Sequence, residues 1–262
     1  MIQLDTLYSG SSGNATYIGN SESGILVDIG KNAKQTTASL EGLGLSPECV
    51  KAVFVTHEHS DHISGLRVFC NRHHIPVYAS RGTLEALEDK GHLEGDFPVY
   101  IMNGYADIED MHVECFHTLH DSAESMGYTV EFEKGSKVAV STDLGRVTDE
   151  VRNALKGSHT VLLESNHDIN MLGCGPYPYY LKQRILSDYG HLSNEAAAEL
   201  ATELVREGTK QIILGHLSTD NNIPELAYQT VTARTCITGA EAGTDYLLSV
   251  AARHEAGHFE VK

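Results

Sequence analysis

The stretch "VFVTHEHSDHISG", residues 53–65, sets the tightest limit on what this chain can fold into. It begins as a buried apolar strand and ends by placing His57, His59, Asp61 and His62 within six positions. A strand of that kind belongs inside a sheet covered on both faces. Its end then presents four side chains that seek either solvent or a cation. Four more apolar runs end in similar chemistry: "HVECFHTLHD" at His120, "VAVSTD" at Asp143, "TVLLESNHD" at His167 and Asp168, and "QIILGH" at His216. Loops at the ends of neighbouring strands converge when a sheet supplies the rigid frame. A solvated, His-rich surface loop needs no such repetition, so the pattern points to one composite site.

Read as coordination chemistry, His57 and His59 leave a strand two residues apart and can turn towards one cation. Asp61 and His62 lie at the turn into a helix and can address a second. Nitrogen and carboxylate ligands without thiolate suit zinc, with manganese or iron as alternatives. The five cysteines (Cys49, Cys70, Cys115, Cys174, Cys236) include no C-x-x-C pair. That spacing argues against a disulfide framework and against a cysteine zinc knuckle. Cys70 and Cys115 fall in apolar stretches and read as buried thiols. One structural zinc closes its shell with four ligands. Seven candidates stand here, His57, His59, Asp61, His62, His120, Asp143 and His216, enough for two cations with open positions.

The 262 residues carry no low-complexity segment, long linker or repeat. Apolar β-rich runs are expected at 2–8, 16–18, 25–29, 52–56, 77–79, 111–117, 127–133, 137–141, 160–163, 211–214 and 246–251. Ile63, Leu66, Phe69 and Cys70 form a helical stripe, with His73 and His74 closing that helix. "LSNEAAAELATELVREG" reads as a second helix capped by Ser193, favoured at its start by Glu195 and stopped by Gly208. Ala197, Leu200, Leu204 and Val205 are its inward stripe. No run of 18 apolar residues and no signal-peptide pattern is present, so a cytoplasmic protein without a membrane span is expected. The formal charge of −17 opposes nonspecific attraction to nucleic acid.

The series H-x-H-x-D-H at a strand end, "HD" at His120, "STD" at Asp143 and a strand-terminal His216 resembles the signature of the metallo-β-lactamase superfamily. "LYSGSSGNATYI", "LLESNHD", "GPYPYYLKQRILSDYGHLSN" and "GHLSTDNNIPE" narrow the likeness to the YycJ/WalJ family of metallohydrolases, with ribonuclease Z and PhnP more distant. The resemblance implies an α/β fold, an αββα sandwich of two mixed β-sheets with helices outside, over a single hydrolase domain spanning 1–262. It implies two divalent metal ions. His57, His59 and His120 hold one, Asp61, His62 and His216 the other, and Asp143 bridges them. Asp61 also orients the metal-bridging hydroxide that serves as nucleophile. The implied activity is phosphodiester hydrolysis, with DNA as the nucleic-acid substrate and a 5′-to-3′ exonuclease mode. The alternative is a small-molecule hydrolase acting on a cyclic nucleotide, thioester or lactone. A flavodiiron oxidoreductase is disfavoured because that group has Glu where this chain has His59, and a β-CASP insertion has no room.

The remaining readings concern the rim of the site. His191, ahead of the Ser193 cap, resembles the proton-donating histidine of ribonuclease Z-type enzymes; a loop histidine bonded to backbone is the alternative. His167, with Asp168, either orients a metal-bound histidine or contacts substrate. Ser12 and Asn14 in "GSSGN" offer donors to a phosphate, or form a plain tight turn. Residues 169–187 hold no Asp or Glu ahead of Asp188, and carry Lys182 and Arg184 with Tyr177, Tyr179 and Tyr180. Such a stretch can stack on bases and meet phosphates. Alternatively the tyrosines pack a helix start while the cations are solvated. His120 is preferred to His117 because Asp121 follows it. His92, His159, His254 and His258 default to the surface.

Overall fold

The computed structural model describes residues 1–133 and 135–261. In chain order it begins with β1 (Gln3–Tyr8), β2 (Ala15–Gly19), β3 (Gly24–Val27), α1 (Ala33–Gly42), β4 (Val50–Phe54) and α2 (Ser60–Ile63). Then come α3 (Leu66–His73), β5 (Val77–Ala79), α4 (Arg81–Asp89), β6 (Val99–Ile101), β7 (Tyr105–Ile108), β8 (Met111–His117) and β9 (Met126–Phe132). Next are β10 (Lys137–Ser141), α5 (Asp149–Leu155), β11 (Thr160–Glu164), α6 (Ile169–Cys174) and α7 (Tyr179–Ile185). The chain closes with α8 (Asn194–Arg206), β12 (Gln211–Gly215), α9 (Pro224–Ile237), β13 (Leu247–Val250) and β14 (Gly257–Glu260).

One sheet has the order β14-β1-β2-β3-β4-β5-β6, the other β13-β12-β11-β10-β9-β8-β7. Each is half antiparallel and half parallel. Pairing is antiparallel from β14 to β3 and parallel from β3 to β6. In the second sheet it is antiparallel from β7 to β10 and parallel from β10 to β13.

The side-chain alternation of a strand divides the interior into three apolar layers. On β12, Ile213 points between the sheets, with Phe54, Val113 and Val140 among its layer. Ile212 and Leu214 point the other way, towards Leu200 and Leu204 of α8 and Val231 of α9. On the first sheet, Phe54 faces the sheet-sheet layer while Val53 and Val55 pack with Leu40 of α1 and Phe69 of α3. The architecture is the expected αββα sandwich. Because both faces of β4, β11 and β12 are covered, these strands read in the sequence as unbroken apolar runs.

Helix α8 starts where expected: Ser193 Oγ accepts from Ala196 N at 3.2 Å, and the chain turns away at Gly208 with φ of 109°. The sequence reading did not anticipate β6, β7 or β14. Strand β14 pairs with β1 across the whole chain length, Gln3 opposite Glu260, so its partner lies far outside any local window. The run expected at 25–29 stops at Val27, because Asp28 turns into the left-handed region with φ of 64°.

The parallel halves position the site. β3 and β4 in one sheet, and β10, β11 and β12 in the other, bring their C-terminal ends to a common edge. This is where ligands of α/β sheets gather. Asp143 and His216 share the left-handed conformation of Asp28, each with φ of 56°. For a non-glycine residue that costs on the order of 1–3 kcal/mol and persists only where the surroundings enforce it. Here they do: His216 N donates to Ser9 Oγ at 2.9 Å, and Asp28 Oδ1 accepts from Thr56 N at 2.8 Å.

Candidate metal centre

The structure brings the seven strand-end residues together. His57, His59 and His120 can each present one ligand atom within 4.8 Å of the others, and so can Asp61, His62 and His216. The histidine rings of the first group lie 4.5 Å (His57–His59), 4.9 Å (His57–His120) and 5.2 Å (His59–His120) apart. Asp143 lies between the two groups. Its Oδ2 is 3.1 Å from His62 Nε2, and its Oδ1 is 3.6 Å from His120 Nε2 and 3.7 Å from His216 Nε2. Asp61 Oδ2 is 3.5 Å from His62 Nε2 and 3.8 Å from His216 Nε2.

Four of the rings are anchored through Nδ1, which leaves Nε2 to face the cluster. His57 Nδ1 meets Thr56 Oγ1 at 3.0 Å, His62 Nδ1 meets Asp28 Oδ2 at 2.7 Å, His120 Nδ1 meets the Gly190 carbonyl at 3.0 Å, and His216 Nδ1 meets Glu164 Oε1 at 2.9 Å. Metal-ligating histidines are held in this way by a carboxylate, hydroxyl or carbonyl on the second nitrogen. Among the described residues, the buried Nε2 atoms of His57 and His216, and Asp143 Oδ2, have no properly aligned hydrogen-bond partner. Polar atoms orphaned in a protein interior are costly unless something else satisfies them. A divalent cation on each group fits this donor set of imidazole nitrogens and carboxylates.

The electrostatics agree with that fit. Burial keeps His57 and His120 below the ordinary histidine range, as neutral nitrogen donors. Burial resists ionisation of Asp143, yet His216 and His62 beside it hold its carboxyl well below the usual range. Asp61 is shifted in the same direction: burial is again outweighed, here by the facing His216 and His62. Burial disfavours charge on His216, but Asp143 first, then Asp61 and Glu164, carry it up to about 10. His62 is likewise raised, against burial, by Asp143 and Asp28. The carboxylates therefore favour positive charge at this point.

Glu164 and Asp28 escaped the sequence reading. Both are buried carboxylates at strand ends, in "LLESNHD" and "LVDIG", and both grip a histidine of the cluster. The available signal was an acidic residue closing an otherwise apolar strand. Glu164 Oε1 also accepts from His191 Nδ1 at 2.8 Å, and Oε2 accepts from Leu144 N at 2.6 Å and Leu192 N at 3.3 Å. Asp168 caps α6, its Oδ1 accepting from Met171 N at 2.7 Å, and has no hydrogen bond to a histidine among the described residues. Glu164 holds both His216 and His191 in the way considered above for the His167–Asp168 pair.

His191 stands beside the cluster, its ring 5.1 Å from that of His120 and 5.3 Å from that of His216. Its side chain is 21% exposed, whereas those of His62, His120 and His216 are at 0–1%. His167 is buried, both ring nitrogens have no partner among the described residues, and burial lowers its pKa to about 4. Asn14 Nδ2 lies 3.1 Å from His62 Nε2 and 3.5 Å from Asp61 Oδ2, so this residue braces the cluster, while Ser12 is exposed. His117 points to Glu150 and Glu124 instead, outside the two ligand groups.

Along 169–187 the structure corrects the packing alternative. Tyr179 and Tyr180 are 77% and 74% exposed on α7 and do not fill space beneath the loop. Tyr177 Oη donates to Asp220 Oδ2 at 2.7 Å and Lys182 Nζ donates to the Gly173 carbonyl at 2.7 Å. Arg184 pairs with Asp121, whose Oδ1 is 3.4 Å from His120 Nε2. Cys115 is only half-buried, and His258, at the surface as expected, pairs with the buried Asp5 at 2.7 Å. Among the described residues no helix is long and apolar enough to cross a membrane.

The chain belongs to the β-lactamase superfamily: the model of the β-lactamase superfamily domain matches residues 24–217. Within it the chain falls in the family of the YycJ and WalJ proteins. It is 41% identical over 235 residues to exodeoxyribonuclease YycJ of Bacillus anthracis, covering 88% of each chain. It is 38% identical over 245 residues to exodeoxyribonuclease WalJ of Streptococcus pneumoniae (strain D39), covering 92% of this chain and 90% of that one. Among solved structures, the metallo-β-lactamase fold protein YhfI of Bacillus subtilis superposes with a TM-score of 0.72 at 14% identity, over 98% of this chain and 99% of its own. A diphosphatase of the PhnP family superposes with a TM-score of 0.71 at 16% identity, over 100% and 98%. Both share the fold.

Proposed function

We propose that this protein is a nuclease that hydrolyses phosphodiester bonds of DNA from an end, in the 5′-to-3′ direction, at a centre of two divalent cations, with zinc the first choice. The chain is a metal-dependent hydrolase of its superfamily; the substrate, the direction and the two-cation chemistry are the proposal, as is a single catalytic unit spanning 1–262. The observation that carries it is the position of Asp143, with one oxygen towards His62 and the other towards His120 and His216. The exodeoxyribonuclease names of relatives at 41% and 38% identity favour DNA over other phosphodiesters.

Bound here, the two cations would supply a water of lowered pKa and positive charge for the attacking and leaving oxygens. His57, His59 and His120 would hold one, Asp61, His62 and His216 the other, with Asp143 shared. Asp61 is the more exposed of the two cluster aspartates, so one of its oxygens can orient the attacking water. His191 is held at Nδ1 by Glu164, which leaves Nε2 as the ring atom that can deliver a proton to the leaving oxygen. Tyr179 and Tyr180 form an exposed aromatic face on which bases can stack.

The formal charge of −17 favours a second reading, a small-molecule hydrolase for a cyclic nucleotide, thioester or lactone on the same centre. One experiment separates the two. Metal-loaded protein is incubated with end-labelled single- and double-stranded DNA and RNA, with Asp61→Ala in parallel. Stepwise shortening of DNA from the 5′ end by wild type alone supports the nuclease. Intact polynucleotides under zinc, manganese and magnesium, together with turnover of a small ester, support the alternative.

A further inference from the structure

We infer that Lys31 and the 10–14 loop form a phosphate subsite on the Asp61 side of the cluster, which takes a backbone phosphate next to the one hydrolysed. This rests on the phosphodiesterase reading above and adds the residue that fixes where the polyanion lies.

Several basic side chains of this acidic chain are held by carboxylates: Arg146 by Asp188, Arg152 by Glu203, Lys156 by Glu207, Arg184 by Asp121. Lys31 is half-buried and forms no ion pair among the described residues; its Nζ sits 6.0 Å from the centre of the Tyr8 ring. Its stem is fixed by packing on Gly13, where an added Cβ would lie 2.6 Å from Cε and 2.8 Å from Cδ. An ammonium with no carboxylate partner keeps its donors available to an arriving anion.

The surroundings tie the backbone leading into Lys31 to the turn that carries Asp61. Gly30, immediately before it, packs so closely on the Asp61 carbonyl that a Cβ would stand 1.7 Å from that oxygen. Asn14 N donates to the Asp61 carbonyl at 2.8 Å, and Gly30 N donates to the Asn14 carbonyl at 2.7 Å. The loop is pinned internally, with Gly10 N on Asn14 Oδ1 at 2.9 Å and Gly13 N on the Gly10 carbonyl at 2.9 Å. Ser11 and Ser12 at its tip are exposed, and their amides and hydroxyls have no partner among the described residues. A fixed loop with free N–H and O–H donors beside a pre-positioned ammonium is an anion site.

The test uses short thymidine oligonucleotides in which one phosphate at a time is replaced by an uncharged methylphosphonate. Dissociation constants and KM are measured with metal-loaded wild type, Lys31→Gln and Lys31→Arg. One position should weaken wild-type binding and raise KM by about tenfold, the size of one charge-assisted hydrogen bond. Lys31→Gln should bind the all-phosphate strand as weakly as that, and be indifferent to methylphosphonate at the same position. Lys31→Arg should restore most of the loss. Lys31→Gln that matches wild type, or losses that multiply where overlap is expected, would overturn the subsite. Wild type that binds the strands without cutting them defeats the nuclease reading alone, and Lys31 is then judged on the dissociation constants. Wild type that neither binds nor cuts defeats both.

Discussion

The Glu164 carboxylate accepts a hydrogen bond from His216 Nδ1 at 2.9 Å, with both residues buried. The same oxygen takes His191 Nδ1, and the other takes two backbone amides, so four donors converge on one side chain. Burial opposes its charge, but His191 and His216 hold the carboxyl down to about 2. Both oxygens are occupied, so Glu164 is placed to orient His191 and His216.

Glu164→Gln keeps the shape but turns an N–H₂ group towards two of those donors. Metal affinity or turnover should fall about 10–100-fold, as for other residues that orient ligands. Competition with a chelating dye, alongside kcat/KM, checks this. Affinity and turnover both equal to wild type would remove Glu164 from its orienting role.

Gly30→Ala forces a methyl against the Asp61 carbonyl and within 2.4 Å of Asn14 N. The turn carrying Asp61 must then shift, with a loss of about 1–3 kcal/mol in stability, as for other overpacked sites. Urea unfolding should show a lower midpoint, and metal content should fall with it. An unchanged midpoint would mean that the turn is looser than these contacts indicate.

His191→Ala should slow hydrolysis of a poor leaving group by about 10²–10⁴-fold. The effect should be smaller for p-nitrophenyl esters, whose leaving group needs no proton, and the metal content should match wild type. Equal losses on both substrates would assign His191 to the ligand set and not to proton delivery.

Chelator-treated protein should have its own pH profile. His216, raised to about 10 in the fold, contributes stability that is fully present below its unfolded value of about 6.5 and is lost as pH rises through about 10. Glu164, lowered to about 2, contributes stability present above about 4.5 and lost as pH falls through about 2. Metal binding needs unprotonated histidine and strengthens over the alkaline part of that range. Thermal unfolding should therefore show the gap in Tm between loaded and chelated protein widening from about pH 6.5 to about pH 9. A narrowing gap would contradict this electrostatic picture.

Much of the fold was legible because strands buried on both faces appear as continuous apolar runs, as in "AVFVTH" and "QIILGH". β14 was not, because four residues containing Gly257 gain their identity only from β1, at the other end of the chain. The candidate ligands were legible by residue type and strand-end position. Asp28 and Glu164 were not, since their role lies in which nitrogen of which histidine they hold, a relation between residues 34 and 52 positions apart. Lys31 looks like any surface lysine until its stem is seen to pack on Gly13, while Gly30 before it packs on the Asp61 carbonyl.

A pair of cations that share Asp143 is checked by metal content per folded chain, measured by inductively coupled plasma mass spectrometry after equilibrium dialysis against zinc, with Asp143→Ala beside wild type. The expected result is two equivalents in wild type and a loss of at least one in Asp143→Ala, with nuclease activity lost in step. One equivalent in fully active wild type, or two retained by an active Asp143→Ala protein, would contradict it.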